Sequence, residues 1–115
     1  MKAVTLVYNI STDDEVREVL RRLRIKEYTR IPRVMGVGAV TGPRMDDHVW
    51  PGYNAMIVAC VSDAHAATIL QALQEFRDGP TGRRTGLFAW MSPVEAALEP
   101  PRRNGAGDGS APTAR

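Results

Sequence analysis

The sequence lacks the features that mark several classes of protein. It contains a single cysteine, Cys60, which excludes an intrachain disulfide. No apolar run approaches the roughly 20 residues that cross a membrane, and the AVTLVYN segment after Lys2 is too short and too polar for a secretory signal. The net charge is only +2, which does not indicate a strongly basic surface. We therefore expect a cytoplasmic protein that does not bind nucleic acid.

Catalytic groups in a recognisable arrangement are also missing. There is no Ser-His-Asp candidate, no pair of acidic residues in an obvious pocket, and no Cys-His pair with plausible proximity. We do not expect an enzyme. The length of 115 residues suits one domain. Residues 99–115 are rich in Pro, Gly, Ala and Ser, so we expect a folded domain over residues 1–98 and a disordered tail after it.

Apolar spacing predicts the element order β-α-β-β-α-β. Strands are predicted over residues 3–9, 28–37, 55–61 and 87–91, and helices over residues 12–23 and 63–76. Thr12 and Glu15 have the spacing of a capping box, and Ser62 is expected to cap the second helix. That helix should turn Ile69, Leu70, Leu73 and Phe76 inward and leave His65 on the surface, and Pro93 should begin a helical turn that ends at Leu98.

This order is typical of a ferredoxin-like α+β fold, in which two helices cover one face of a four-stranded antiparallel sheet. The other face should then be polar. The third strand instead places Met56, Val58 and Cys60 on one face and apolar residues on the opposite face as well. We expect the uncovered face to pack against other subunits, because large exposed apolar patches mark interfaces.

Three segments together resemble the PII signalling superfamily. They are DDEVREVLRRLRI after the first strand, VMGVGAVTG at the end of the second, and GRRTGLFAWMSPVEAAL around the last. The chain resembles a PII-like protein more than an orthodox nitrogen regulator. The resemblance implies a homotrimer that binds a small ligand in clefts between subunits. It also implies that the long loop over residues 39–53 changes state and engages a partner protein, such as a membrane transporter or an enzyme.

By the same resemblance, one wall of the cleft would be formed by Gly36, Val37, Gly38, Thr41 and Gly42. Glycines let backbone N–H groups approach a phosphate closely. Arg83 and Arg84 would reach in from the neighbouring subunit, since the guanidinium fork matches phosphate oxygens. An adenine nucleotide (ATP, ADP or AMP) is the expected ligand. The glutamine and lysine of the family pattern are replaced by Ala39 or Val40 and by Thr85-Gly86, which leaves a different nucleotide, another small anion or no nucleotide open.

The long loop carries the residues expected to contact the partner, which are Arg44, Asp46, Asp47, His48 and Trp50. Of these, Asp46, Asp47 and His48 also allow a second hypothesis, because carboxylate and imidazole groups are metal ligands. The chain would then be a metal-binding or metal-responsive trimer similar to CutA-type proteins. A third possibility is a structural interaction module without a ligand.

Overall fold

The structure, a computed structural model, describes residues 1–38, 42–44 and 52–101. Its strands are β1 (Lys2–Asn9), β2 (Thr29–Val34), β3 (Gly36–Gly38), β4 (Gly42–Arg44), β5 (Asn54–Val61) and β6 (Phe88–Pro93). Its helices are α1 (Asp13–Arg22) and α2 (Asp63–Asp78), and short 3-10 turns occupy Ile10–Thr12 and Gly82–Arg84.

Four strands form one antiparallel sheet in the order β2-β5-β1-β6. Together with the two helices, this confirms the predicted ferredoxin-like architecture. The core lies between the helices and the face of the sheet that carries the alternate residues Val4, Leu6 and Tyr8 of β1, all of which are buried. β3 and β4 form a separate two-stranded hairpin.

The two helices begin differently. Ser62 caps α2 as predicted, because its side chain accepts a hydrogen bond from the backbone N–H of His65 at 3.1 Å. The capping box predicted for α1 is wrong. A 3-10 turn precedes this helix, and the Thr12 hydroxyl donates backwards to the carbonyl oxygen of Asn9 at 2.7 Å. The Asn9 side chain in turn caps the 3-10 turn by accepting from the N–H of Ser11.

The second predicted strand is not continuous. β2 ends at Val34, and its register with β5 shifts between Ile31 and Val34, around Pro32. Proline cannot donate to the ladder, and β2 is an edge strand, as its proline requires. The residues after Met35 pair with β4 instead of β5. The glycine-containing segment is therefore a hairpin that extends beyond the sheet.

Three further expectations are wrong. Pro93 ends β6 and no helical turn follows it, since Leu98 is fully exposed and has no apolar partner to bury. Leu70 is exposed, because the buried stripe of α2 consists of Ala66, Ile69 and Leu73, and Leu70 lies beside it. His65 is half-buried, and its Nε2 lies 2.8 Å from the carbonyl oxygen of Leu23. That nitrogen therefore donates a hydrogen bond and joins the start of α2 to the end of α1.

The face of the sheet that the helices leave uncovered is called the open face below. Strand register places its side chains in two rows across β2, β5, β1 and β6. The first row is apolar and contains Ile31, Met56, Val7 and Phe88, and the second is mixed and contains Thr29, Val58, Thr5 and Trp90. Phe88 is 65% exposed and Trp90 41% exposed, with their ring centroids 5.4 Å apart. In a single copy, this apolar surface is only partly covered.

Candidate functional site

One end of the sheet gathers the segments that the sequence analysis connected with ligand binding. Asn9 at the end of β1 pairs with Asn54 at the start of β5, and Asn54 also pairs with Val34 at the end of β2. Phe88, the first residue of β6, pairs with Val7, two residues before Asn9. We call this the loop end of the sheet. The hairpin after β2 and the turn before β6 both leave the sheet here.

The hairpin is called the glycine stem and comprises Gly36–Gly38 and Gly42–Arg44. Its register pairs Gly36 with Arg44 and Gly38 with Gly42. Arg44 was predicted in a long loop over residues 39–53, so this part of the prediction is wrong: a backbone ladder holds Arg44 beside Gly36.

Neither packing nor backbone angle requires glycine at position 36 within one copy. A Cβ placed on Gly36 would lie 3.4 Å from the side-chain nitrogen of Asn54, which is ordinary van der Waals contact. Positive φ angles among the described glycines occur at Gly52 and Gly86, not at Gly36. Among the described residues, a Cβ at this position would therefore contact only the side chain of Asn54.

The turn before β6 packs closely against the end of α2 and is called the arginine turn (residues 82–85). A Cβ at Gly82 would lie 1.7 Å from the carbonyl oxygen of Phe76, so no other residue fits against the end of α2. Thr85 is completely buried. Gly86 then adopts a φ of 62°, a left-handed angle that glycine tolerates, and redirects the chain into β6.

Arg83 and Arg84 extend from this turn into solvent. Their backbone N–H groups donate to the carbonyl oxygens of Gly79 and Thr81, at 3.1 and 3.2 Å. The side-chain Nε of Arg83 donates to the carbonyl oxygen of Asp78 at 3.2 Å. The backbone of the pair is therefore fixed, while most of each guanidinium remains accessible.

The glycine stem and the arginine turn share the loop end but not the same edge. The stem follows β2 and the turn precedes β6, and these are the two outer strands. Neighbouring strands are about 4.8 Å apart, so the edges are separated by about 14 Å. Within one copy, the two groups flank the loop end without touching.

A partly buried ionic cluster beside the loop end had no counterpart in the sequence prediction. The Tyr8 hydroxyl donates to Asp13 Oδ1. Arg30 donates to both oxygens of the same carboxylate, from Nε at 3.1 Å and from a terminal nitrogen at 2.9 Å. The cluster therefore ties β1, the start of α1 and the edge strand β2 together. The sequence feature that could have indicated this cluster is Arg30, a charged residue at a strand position that faces the helices.

The cluster perturbs the protonation of its members. Burial raises the pKa of Asp13, but hydrogen bonds from Tyr8 and Arg30 outweigh burial and leave the pKa of Asp13 below its ordinary value. Burial, reinforced by the Asp13 carboxylate, raises the pKa of Tyr8 well above its usual range. At neutral pH the cluster thus holds one carboxylate, one guanidinium and a neutral phenol.

A second contact joins the two strand ends from which the long loop leaves. The guanidinium of Arg33, near the end of β2, lies 4.4 Å from the centroid of the Tyr53 ring, just before β5. The carbonyl oxygen of Tyr53 also accepts from the N–H of Ile10 at 3.1 Å. The two contacts thereby hold the end of β2 beside the start of β5, and the start of β5 beside the end of β1.

Several predicted residues lie outside the described residues, namely Thr41, Asp46, Asp47, His48 and Trp50. The metal hypothesis and most of the predicted partner contacts fall on them. Within the part of the chain that the structure describes, no group of three or more His, Cys, Asp or Glu side chains could hold a metal ion.

The combination of a ferredoxin-like sheet with a glycine stem and an arginine turn at one end agrees with a match to a known family. The sequence model described as nitrogen regulatory protein P-II matches residues 1–97. The chain belongs to the P-II family. The resemblance found in the sequence is thereby confirmed, and the match covers nearly all of the predicted folded domain.

Solved structures of PII-like proteins share the fold. A PII-like signalling protein from Thermus thermophilus is 26% identical, with a TM-score of 0.56 over 79% of this chain and 83% of that one. CPII from Thiomonas intermedia, a nitrogen regulatory PII-like protein solved with ADP and bicarbonate, is 19% identical, with a TM-score of 0.60 over 83% of this chain and 88% of that one.

No curated protein sequence matches this P-II family member. Among the described residues, none of the helices has the length and apolar character needed to span a membrane.

Proposed function

We propose that this P-II family member is a cytoplasmic regulatory protein that binds an adenine nucleotide in clefts between three copies of the chain. The nucleotide biases the loop over residues 39–53 between states, and one state engages a partner protein. The protein acts as a sensor and not as an enzyme. The observation that carries the proposal is that the glycine stem and the arginine turn lie on opposite edges of the same end of the sheet.

The chemistry of these two groups suits a phosphate ligand. The stem offers a glycine-spaced backbone, on which N–H groups can meet phosphate oxygens. The turn offers two exposed guanidinium groups on a fixed backbone. CPII, which shares the fold, was solved with ADP and bicarbonate, and this supports ADP as the first ligand to test.

The open face supports assembly into a trimer. Its two rows include the aromatic side chains of Phe88 and Trp90, which remain exposed in one copy, and burial of apolar surface is worth roughly 25 cal/mol for each Å² removed from water. Three copies that pack their open faces around a common axis bring sheet edges of neighbouring copies together. A glycine stem can then meet the arginine turn of the next copy, as the predicted role of Arg83 and Arg84 requires.

A ligand at this place can act on the loop through the stem. Gly36–Gly38 and Gly42–Arg44 are the paired strands that lead into and out of the hairpin tip, and Arg44 continues into the rest of the loop. A nucleotide that binds one arrangement of the stem more tightly than another shifts the loop population by the difference in affinity. Partner binding is thereby coupled to nucleotide concentration.

Thermal denaturation with ATP, ADP, AMP, bicarbonate and Zn²⁺ tests the proposal. A nucleotide at about 100 times its Kd should stabilise the native state by about 2.7 kcal/mol, which raises Tm by several degrees. The double variant Arg83→Ala/Arg84→Ala should lose this shift. Arg21→Ala/Arg22→Ala removes the same charge from an exposed adjacent pair on α1 and should keep it. A response to Zn²⁺ alone would support the metal hypothesis instead.

Mixed oligomers test whether the cleft is shared between copies. Gly36→Asp places a carboxylate on the stem, and Arg83→Ala/Arg84→Ala removes the guanidinium pair. Each variant alone should fail to bind ADP. If stem and turn come from different copies, co-refolded mixtures contain some intact clefts and regain part of the binding. Mixtures that bind no ADP would show that the two groups act within one copy.

A further inference from the structure

We infer that Thr85 is a positioning residue for the proposed anion site, whose hydroxyl holds Arg83 and Arg84 in the orientation that binds phosphate. The inference rests on the proposed function. Thr85 is 0% exposed, although its neighbours Arg83, Arg84 and Gly86 are exposed. A fully buried polar side chain inside an exposed turn must find its hydrogen-bond partners within the protein.

The partners of Thr85 lie on both sides of the arginine pair. Its hydroxyl donates to the carbonyl oxygen of Gly82 at 2.6 Å and accepts from the N–H of Leu87 at 3.1 Å. Its backbone N–H donates to the same Gly82 oxygen at 3.0 Å. The two arginines are thus enclosed in a small ring of hydrogen bonds that begins at Gly82 and ends at Thr85.

This ring is attached to the rest of the fold at two points. Gly82 packs so closely against Phe76 that a Cβ would overlap its carbonyl oxygen at 1.7 Å. On the other side, the carbonyl oxygen of Thr85 accepts from the N–H of Asn9 at 2.7 Å. The ring therefore links the end of α2 to the end of β1, and the arginine backbone has a fixed place at the loop end.

Orientation matters here because arginine gains its specificity for phosphate from geometry. A guanidinium fork makes two parallel hydrogen bonds only when its base is correctly placed. A loosened turn keeps both positive charges but loses this alignment. Removal of the Thr85 hydroxyl should therefore weaken binding of a phosphate-containing ligand while the net charge of the protein is unchanged.

The test compares Thr85→Val, which has nearly the same shape without the hydroxyl, with Thr85→Ser, which retains it. Thr68→Val is the matched control, since Thr68 is exposed on α2 and its hydroxyl bonds only at 3.4 Å. ADP affinity by calorimetry is one readout. Amide hydrogen exchange at Arg83, Arg84 and Leu87 is the other.

We expect Thr85→Val to bind ADP about tenfold more weakly or worse, the effect of losing one hydrogen bond to a charged group. Exchange at the three amides should be faster. Thr85→Ser and Thr68→Val should match the unmodified protein in both readouts. If Thr85→Val is too unstable to measure, Thr85→Ala replaces it, because the smaller side chain leaves room for water at the two orphaned groups.

Two results would overturn the inference. One is unchanged ADP affinity in Thr85→Val although exchange at the turn is faster. The other is a Thr85→Ser variant as weak as Thr85→Val. Failure of the proposed function looks different, since the unmodified protein itself would then bind none of ATP, ADP and AMP.

Discussion

Replacement of Asp13 by asparagine tests the ionic cluster beside the loop end. Asparagine retains an oxygen that can accept from Tyr8, but it loses the charge that Arg30 faces with two N–H groups. The Asp13 side chain is 12% exposed and that of Arg30 27% exposed, so water replaces the lost partner poorly. The substitution leaves a partly buried guanidinium without its counter-charge.

The expected cost is about 2 kcal/mol of unfolding free energy at neutral pH, since a hydrogen bond to a charged group contributes about 1.5–3 kcal/mol. Asp14→Asn is the matched control. Asp14 is the neighbour in the same turn of α1 and is less buried, so its loss removes only a favourable interaction with the helix dipole, worth about 0.3–1 kcal/mol. Urea denaturation at equal protein concentration measures both variants.

The pH dependence gives a second check on the same residue. The pKa of Asp13 is lower in the folded protein than in the unfolded chain, where it is near the ordinary 3.8. Its stabilisation is therefore complete above that value and is lost as the pH falls through the folded pKa. The difference between the unmodified protein and Asp13→Asn should shrink below about pH 4.

Two outcomes would refute this reasoning. One is an Asp13→Asn variant that costs no more than Asp14→Asn at neutral pH. The other is a stability difference that persists undiminished in acid. Tyr8 gives an independent readout, because the Asp13 carboxylate contributes to its raised pKa. In Asp13→Asn, Tyr8 should ionise at a lower pH in a spectrophotometric titration.

Three further predictions concern packing and assembly. Ser62→Ala should lower the unfolding free energy by about 1 kcal/mol in urea, and an unchanged midpoint would contradict the cap. Gly82→Ala should lower Tm severely because its Cβ overlaps a carbonyl oxygen, whereas Gly36→Ala should be mild; equal effects would refute the contrast. Phe88→Ser/Trp90→Ser should convert an oligomer to folded monomers by sedimentation analysis, since both side chains are exposed in one copy; an unaffected oligomer would exclude the open face as the interface.

Much of the fold could be predicted because its signals are local. The inward positions of Ile69 and Leu73 on α2 and the cap at Ser62 depend on residues a few positions apart, and both are confirmed. Errors arose where another contact outweighed the predicted pattern. For Thr12 that contact is local, since a 3-10 turn precedes α1 and the hydroxyl donates to Asn9, whereas His65 bonds to Leu23, which is distant in the chain and lies at the end of α1.

By itself, the sequence determined the β-α-β-β-α-β order of the main sheet and its helices, the apolar character of both faces of β5 and the family to which the chain belongs, because periodicity and composition are properties of short segments. Only the tertiary structure decided that Gly36 and Arg83 share one end of the sheet, and that Asp13 receives Arg30. These pairs are far apart along the chain. Strand register and helix packing set the distances between them, and a one-dimensional pattern contains neither.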